Sequence, residues 1–560
     1  MTVESSAEAG EPGAEAARDP GSCAERAALL FGAAWITLVL AVRWPLFGRP
    51  TIRSASAIDA AVFAYAGELV RRGGTPYVSY WDHKPPLVHL IDAAALTLSG
   101  GRIWGLWLAA AAGFLLALVL GHRAMLRAFG APGAILGTTY LAFSLPALLA
   151  ANMIEGYLLP VQWAAVLLFV TRGSTARPTR SLGLGLGALG ALAVLLKPNL
   201  FGAPLSVALA ASLLALSDRQ WRAWLQFVAG GLLGAATVIG AVVAYLGLQG
   251  ALGAFVDQVF RYNFGYASAT WGERARAAYN GLGRATVLAS AAIPVAGWML
   301  ACGGAWRWGR RSALFPALIV GAIWLPIELS LAATSGRNFP QYFTPLFAPL
   351  SFLAAVLSWA IADRRAGRAP PPRRRLPLDP VVVALAAAIA GYASLTTVQQ
   401  WRQNTLPQAR DAQVARTVAY VHDHTSPGEA ILVWGHAADL YLLSGRRAAS
   451  RFIYPLPLLT PGYADSALVA TFMRELRATP PALIIDVSGV ELEGELLTPP
   501  LDRWDPDWMV PTRGPPDFAK GRAWWSMTPA LKSFYDHVAR DYLPDTSDAA
   551  GRWTIYRRKR

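Results

Sequence analysis

Long apolar runs separated by short polar connections dominate the first two thirds of the chain. They lie at 27–46, 104–121, 131–150, 156–171, 181–196, 199–216, 223–247, 285–303, 314–333, 342–362 and 380–396. Each is close to the length of helix that crosses a bilayer. The pattern predicts a mainly α fold, a polytopic membrane helical bundle of about eleven spans over 26–396. After 396 the pattern changes. Asp, Glu, Arg and Pro become dense and the apolar stretches shorten. An amphipathic helix is predicted at 408–424, buried strands at 430–434 and 482–487, a short helix at 439–443 and a closing strand at 553–557. These make 397–560 a C-terminal soluble α/β domain. The Trp/Pro-rich stretch 499–529 reads as irregular. At the other end, 1–25 is rich in Ala, Gly and Glu and reads as a disordered cytoplasmic tail. It lacks a basic segment followed by a cleavage site, so the first apolar run is expected to act as an uncleaved anchor.

One apolar run is ambiguous. Residues 85–98 are short for a span, begin with Pro85-Pro86 and contain His89 and Asp92. Charge decides its status. If 85–98 does not span and the N-terminus is cytoplasmic, the connections 122–127, 171–180, 218–222, 306–311 and 363–375 all fall inside. They carry two, three, two, three and six arginines, as the positive-inside rule requires. If 85–98 spans, all five move outside. The run is therefore predicted to lie at the outer interface, within an outer first loop at 47–103. An odd number of spans places the C-terminal domain outside as well. The protein is expected in the plasma (inner) membrane, as a multi-pass component of the cell envelope.

Composition adds little that the pattern does not explain. The chain is 54% hydrophobic and 15% charged, with a net charge of +15. That charge is accounted for by topology and contact with membrane lipids, and no nucleic-acid partner is predicted. Two cysteines are too few for a disulfide framework.

Candidate chemistry collects on the predicted outer face. The stretch 58–89 carries Asp59, Glu68, Tyr77, Tyr80, Trp81 and then Asp82-His83-Lys84-Pro85-Pro86. Asp59 is a candidate general base toward a hydroxyl; the plainer reading is a helix cap. Only five of the 50 basic residues are lysines, and Lys84 and Lys197 are the only two before residue 520. Both precede proline. A compact ammonium suits a phosphate, against the plainer reading of a snorkelling side chain. Glu155 in ANMIEGY is a candidate for a substrate hydroxyl or a metal, or else for a structural ion pair. Arg337 and Tyr342 are candidates for a phosphate or a sugar, or else interfacial anchors. Gly185, Gly187 and Gly190 fit a GxGxxG pattern, but inside an apolar span with no preceding strand they read as helix packing. His422 and His424 end a predicted helix and read as solvent-exposed rather than as metal ligands.

The outward Asp59, the aromatic loop with Lys84-Pro85-Pro86-Leu87, the bundle and the outer C-terminal domain together resemble the GT-C glycosyltransferases. The PMT-like branch, which includes protein O-mannosyltransferases and ArnT, is the nearest in pattern. Its members usually show Asp-Glu at the first acidic site. Here Ala60 follows Asp59, so only the aspartate carries over, with Glu68 a candidate substitute. Tyr342 in PQYFTPL resembles the family's tyrosine near the lipid phosphate. The resemblance implies transfer of a sugar from a polyprenyl-phosphate donor to an acceptor (glycan, lipid or protein) on the outer face, with inversion. Asp59 would serve as base. Lys84, Lys197, Arg337 and Tyr342 would hold the donor phosphate, and Glu68, Tyr80, His83 and Glu155 the substrate. No cofactor is called for, no metal ligand set is assigned, and a divalent metal is left open. The alternative is a transporter or flippase of lipid-linked sugars. Transporters favour charges near mid-membrane and internal repeats, whereas here the charges gather at one end and no repeat is visible.

Overall fold

A computed structural model of the chain describes residues 34, 37, 57–144, 152–172, 178–266, 269–287, 292–308, 314–365, 379–405, 409–488, 498–511, 523–545 and 553–559. The predicted tail 1–25, and the run 27–46 apart from Ala34 and Thr37, lie outside the described residues.

The first loop forms two helices, α1 (Ala57–Arg71) and α2 (Leu87–Leu98). The second is only 12 residues long. At about 1.5 Å per residue it cannot cross a hydrocarbon layer of about 30 Å. The two helices touch at Gly67, where an added Cβ would stand 2.5 Å from Asp92 Cβ.

The bundle follows. Helix α3 (Trp104–Ser144) contains the second predicted run and the third as far as Ser144, its last part lying outside the described residues. Gly130 interrupts it with φ +74°, a conformation open to glycine and strained for other residues. His122 Nδ1 and Thr138 Oγ1 lie 3.1 Å apart. In one straight helix, 16 residues would separate them by about 24 Å. The chain therefore doubles back at Gly130, and α3 is a helical hairpin.

Helices α4 (Ile154–Val170), α5 (Arg180–Leu196), α6 (Gly202–Ser217) and α7 (Trp221–Leu248) come next. Helix α5 packs on α7 through its small residues. A Cβ on Gly183 would lie 1.9 Å from Phe227 O, and one on Gly187 would lie 1.9 Å from Gly231 O. Within the GxGxxG match Gly187 lies in this seam, while Gly185 faces Leu168 of α4 and Gly190 faces Pro204 of α6, so all three glycines sit at helix contacts. The other side of α7 is bare, with Leu225, Leu232 and Leu233 exposed. Then follow α8 (Trp271–Val287), α9 (Ala292–Trp308), α10 (Phe315–Ala332), α11 (Phe347–Arg365) and α12 (Pro380–Thr405). Four described helical segments are long and apolar enough to cross a membrane: Trp104–Ala142, Trp221–Leu248, Phe315–Ala332 and Pro340–Arg364.

The C-terminal segment opens with α13 (Ala409–His424) and β1 (Ala430–Trp434), then α14 (Asp439–Ser444) and β2 (Arg447–Ala448). Helix α15 (Ser466–Ala478) leads to β3 (Leu483–Asp486). The chain ends with β4 (Met509–Pro511), β5 (Ala523–Ser526), α16 (Lys532–Asp541), β6 (Tyr542–Asp545) and β7 (Thr554–Arg558). Five strands make a mixed sheet in the order β2-β1-β3-β7-β6. The strands β1 and β3 are fully buried and pair in parallel, which explains their unbroken apolar sequences. Strands β4 and β5 pair with each other, so the stretch 499–529 is not wholly irregular as predicted. His422 is exposed and its Nε2 meets Ser444 O.

One apolar cluster joins the two ends of the chain. It runs from Val62, Tyr65, Tyr80 and Trp81 of the first loop into Tyr441, Tyr454 and the sheet. Tyr65 of α1 stacks on Tyr441 of α14 at 4.9 Å. The first loop is thus clasped between the bundle and the C-terminal segment.

Candidate active site

The loop from Arg72 to Pro86 is built on a strained tyrosine. Tyr77 has φ +63°, which costs a non-glycine residue about 1–2 kcal/mol. Three contacts hold it there. Its hydroxyl donates to Lys84 O at 2.9 Å, its own carbonyl accepts from Gln258 Nε2 at 2.8 Å, and its ring meets Phe255 at 5.4 Å. Gln258 Oε1 also accepts from Asp82 N, and Asn263 Nδ2 donates to His83 O at 2.7 Å. Two residues after α7 therefore grip the backbone that presents Lys84. Pro85 and Pro86 then lead directly into α2.

The side chains behind Lys84 form one hydrogen-bonded line. Lys84 Nζ donates to His83 Nε2 at 2.7 Å. His83 Nδ1 faces Tyr454 Oη at 3.3 Å, and Tyr454 donates to Asp82 Oδ1 at 2.9 Å. Asp82 Oδ2 meets His89 Nε2 at 2.8 Å, and His89 Nδ1 meets Tyr80 Oη at 2.9 Å. Only one set of tautomers satisfies every contact. An ammonium can only donate, so His83 carries its proton on Nδ1. An ionised carboxylate can only accept, so His89 carries its proton on Nε2. The electrostatics agree. Burial pushes the Asp82 carboxyl up, but the His89 hydrogen bond and the fields of His89, His83 and Lys84 outweigh it and hold the group at about 2. Burial and the neighbouring Lys84 charge push His83 well below its ordinary range, against the pull of Asp82. A neutral His83 accepts from Lys84 at Nε2.

A second group faces the first. Lys197, just past the end of α5, donates to Glu155 Oε1 at 2.9 Å. Its Nζ also stands 3.5 Å from the centre of the Tyr342 ring. Tyr342 and Gln341 belong to the short 3-10 helix Pro340–Leu346. Gln341 Nε2 donates to Asp59 Oδ2 at 3.4 Å. Asp59 feels both groups. Burial raises its carboxyl above the usual 3.8, as do the Glu155 and Asp82 charges, while Lys84 and Lys197 draw it back down. Asn152, itself at φ +73°, fixes the start of α1. Its Nδ2 donates to Ala60 O at 3.3 Å and to Asp92 Oδ2 at 2.6 Å. Burial drives the Asp92 carboxyl well up, against the pull of the Asn152 hydrogen bond.

Between the two groups lies a cavity of about 340 Å³. It is lined by His83, Lys84, Lys197 and Tyr342, by apolar Phe201, Val259, Phe260, Phe264 and Leu331, and by the neutral polar side chains of Asn199, Asn263, Thr334 and Ser335. Two cations at the head of an apolar groove suit an amphiphile with an anionic head.

The structure thus gathers Asp59, His83, Lys84, Glu155, Lys197 and Tyr342 from four separate loops. Arg337 is buried close by, its charge acting on His83 and its guanidinium 5.0 Å from the Trp525 ring. Tyr80 lies behind this group, at the far end of the hydrogen-bonded line. Glu68 does not join it. Its carboxylate pairs with Arg71 Nε and Arg72 Nε, each at 2.6 Å, and it lines a different cavity. Among the described residues, no three His, Cys, Asp or Glu side chains converge as a metal site. Sequence reasoning missed Tyr454, which carries no local signal. His89 and Asp92 did carry one, as polar residues in an apolar run.

The fold matches that of ArnT from Cupriavidus metallidurans. Against ArnT bound to undecaprenyl phosphate the TM-score is 0.59 at 16% identity, covering 94% of this chain and 97% of that one. Against the apo state it is 0.57 at 15% identity, covering 94% and 98%. No protein-family model matches the chain, and no curated protein matches it. The chain shares the fold of these structures, and its long apolar helices mark it as an integral membrane protein.

Proposed function

We propose that this protein transfers a sugar from a polyprenyl-phosphate donor to an acceptor on the outer face of the membrane. The observation that carries the reading is the pair Lys84 and Lys197 at the head of an apolar groove, with the Asp59 carboxylate in the field of both. ArnT, whose fold this chain shares, is described with undecaprenyl phosphate bound, and the groove has the chemistry such a lipid needs. The polyprenyl tail lies along Phe201, Phe260, Phe264 and Leu331. The phosphate sits between the two lysines and Tyr342.

In the proposed reaction the acceptor hydroxyl attacks C1 of the donor sugar. The new C1–O bond forms as the C1–O bond to phosphate breaks, and the phosphate leaves with the electron pair. Asp59 takes the hydroxyl proton. The attack is in line, so the configuration at C1 inverts. A raised carboxyl is a stronger base than an ordinary aspartate. Lys84, oriented by His83, meets the charge growing on the phosphate as the bond breaks. Lys197 is steadied by Glu155 and lies against the Tyr342 ring.

The topology belongs to the same proposal: about eleven spans, a cytoplasmic N-terminus, and residues 397–560 as an extracytoplasmic α/β domain. The test is an assay of the purified full-length protein with several polyprenyl-phosphate sugars and candidate acceptors. Asp59→Asn is expected to lower turnover by about 10²–10⁴-fold while donor binding persists. Lys84→Met is expected to weaken both. Full turnover in Asp59→Asn would remove the base. Transport of intact donor without sugar transfer would favour a flippase.

A further inference from the structure

A second cavity, of about 460 Å³, lies where the first loop, the start of α3 and the C-terminal segment meet. It shares no lining residue with the lysine groove. Its walls carry four arginines, Arg72, Arg102, Arg446 and Arg447, and a single carboxylate, Glu68. That carboxylate is already committed to Arg72 and to Arg71 behind it.

The arginines are placed there by backbone turns. Gly100 and Gly101 follow each other at φ +65° and +80°, which swings the chain out of α2 and brings Arg102 to the cavity. Gly445, at φ +67°, ends α14 and delivers Arg446 and Arg447. Arg446 is buried. Its guanidinium donates to Thr425 Oγ1 and Thr425 O, both at 2.9 Å, and to Ser444 O at 3.2 Å. All three acceptors are neutral. A buried guanidinium with no counter-charge is costly unless something supplies one. Among the described residues, the side chains of Arg102 and Arg447 meet no carboxylate either.

The cavity also adjoins the start of an apolar segment long enough to cross a membrane. Ile103 and Trp104 line it, and Trp104 opens the apolar segment Trp104–Ala142. Along that segment Trp104 is 43% exposed and Leu108, one turn further on, 51%. A tryptophan at a span end marks the headgroup level of a bilayer. An arginine-lined cavity at that level, above side chains that face acyl tails, matches the two halves of one molecule. Arginine is the side chain best shaped for phosphate oxygens.

We propose that this cavity binds the phosphate of an anionic phospholipid from the surrounding leaflet, clamping the first loop to the C-terminal segment. The phosphate accepts from Arg102, Arg446 and Arg447, and the acyl chains run down past Trp104 and Leu108. The site is separate from the donor groove and does not depend on the transferase reading.

The test uses the full-length protein in an uncharged detergent, titrated with phosphatidylglycerol, phosphatidylcholine or inorganic phosphate, with the thermal midpoint as readout. Phosphatidylglycerol is expected to raise the midpoint saturably, and phosphatidylcholine is not. Arg102→Gln combined with Arg447→Gln, both at exposed positions, is expected to weaken the phosphatidylglycerol response by about tenfold or more in concentration. Asp59→Asn is expected to leave that response intact. An unchanged response in the double variant would overturn the proposal. A shift by inorganic phosphate at the same concentrations would overturn its lipid part and leave a site for a soluble anion.

Discussion

The hydrogen-bonded line behind Lys84 makes demands on single atoms. Tyr454 Oη bridges His83 Nδ1 and Asp82 Oδ1, which otherwise stand 3.5 Å apart. Tyr454→Phe keeps the ring and removes the link. Two buried polar groups then lose a partner, each at a cost of about 1–3 kcal/mol. The His83 ring also loses the hydroxyl that accepts from its Nδ1, so it holds Lys84 Nζ less firmly. The expected result is a lower thermal midpoint and turnover reduced by about tenfold or more, which single-turnover measurements would read. Wild-type turnover in Tyr454→Phe would show that the line does not orient Lys84. Asp59 gives a pH dependence. Its carboxyl must be unprotonated to take a proton, and burial raises it above 3.8. The active fraction therefore falls as pH falls through that raised value. In the profile of kcat/KM, the acid limb should lie above the range of an ordinary aspartate and vanish in Asp59→Asn. A limb that survives the substitution belongs to another group.

At the scale of elements, the seam between α5 and α7 decides how the bundle closes. The backbones approach so nearly at Gly187 that a Cβ would stand 1.9 Å from Gly231 O. Backbone cannot swing aside as a side chain can, so Gly187→Ala must push the helices apart. A loss of about 1–3 kcal/mol is expected for such overpacking. Gly240, on α7 with nothing within 4 Å of its would-be Cβ, is the internal control. There alanine should be neutral or slightly stabilising. Equal thermal midpoints for the two variants would refute the seam. Most helices were legible beforehand, because an apolar run of bilayer length has few other uses. The hairpin at Gly130 was legible as the gap between two runs. The status of 85–98 is read from arginines in distant connections, and the stretch contains a helix of 12 residues. Strands β1, β3 and β7 were readable as short apolar stretches. Strand β6 was not: Tyr542–Asp545 contains Pro544 and sits at the sheet edge, where proline is tolerated and the apolar pattern is absent. Strands β4 and β5 were hidden in Trp- and Pro-rich sequence for a similar reason.

Across the whole molecule, the sequence divides at 396 but the site does not. Lys84 and Lys197 stood out because lysine is rare in this chain. Their supports did not, since the contact between Tyr454 and Asp82 spans 372 residues and no local pattern records a pairing over that range. The loop that presents Lys84 is held from the C-terminal segment at several points. Trp81 N donates to Arg451 O at 2.8 Å, Trp81 Nε1 to Tyr463 Oη at 3.1 Å, and Tyr454 to Asp82. Tyr262, from the connection after α7, meets Thr460 Oγ1 at 3.0 Å. A chain ending at 408 keeps both lysines, Asp59 and the groove, and loses every one of these contacts. Without them Trp81 loses the rings of Tyr454 and Tyr463 and faces water, and Asp82 and His83 lose the Tyr454 hydroxyl. Such a chain is expected to insert in the membrane and bind donor weakly, with turnover below detection. A well-placed reacting group contributes orders of magnitude that a mobile one does not. Turnover by the shortened chain within about tenfold of the full one would show that the bundle alone orders the loop. The C-terminal segment would then have to act on the acceptor rather than on Lys84.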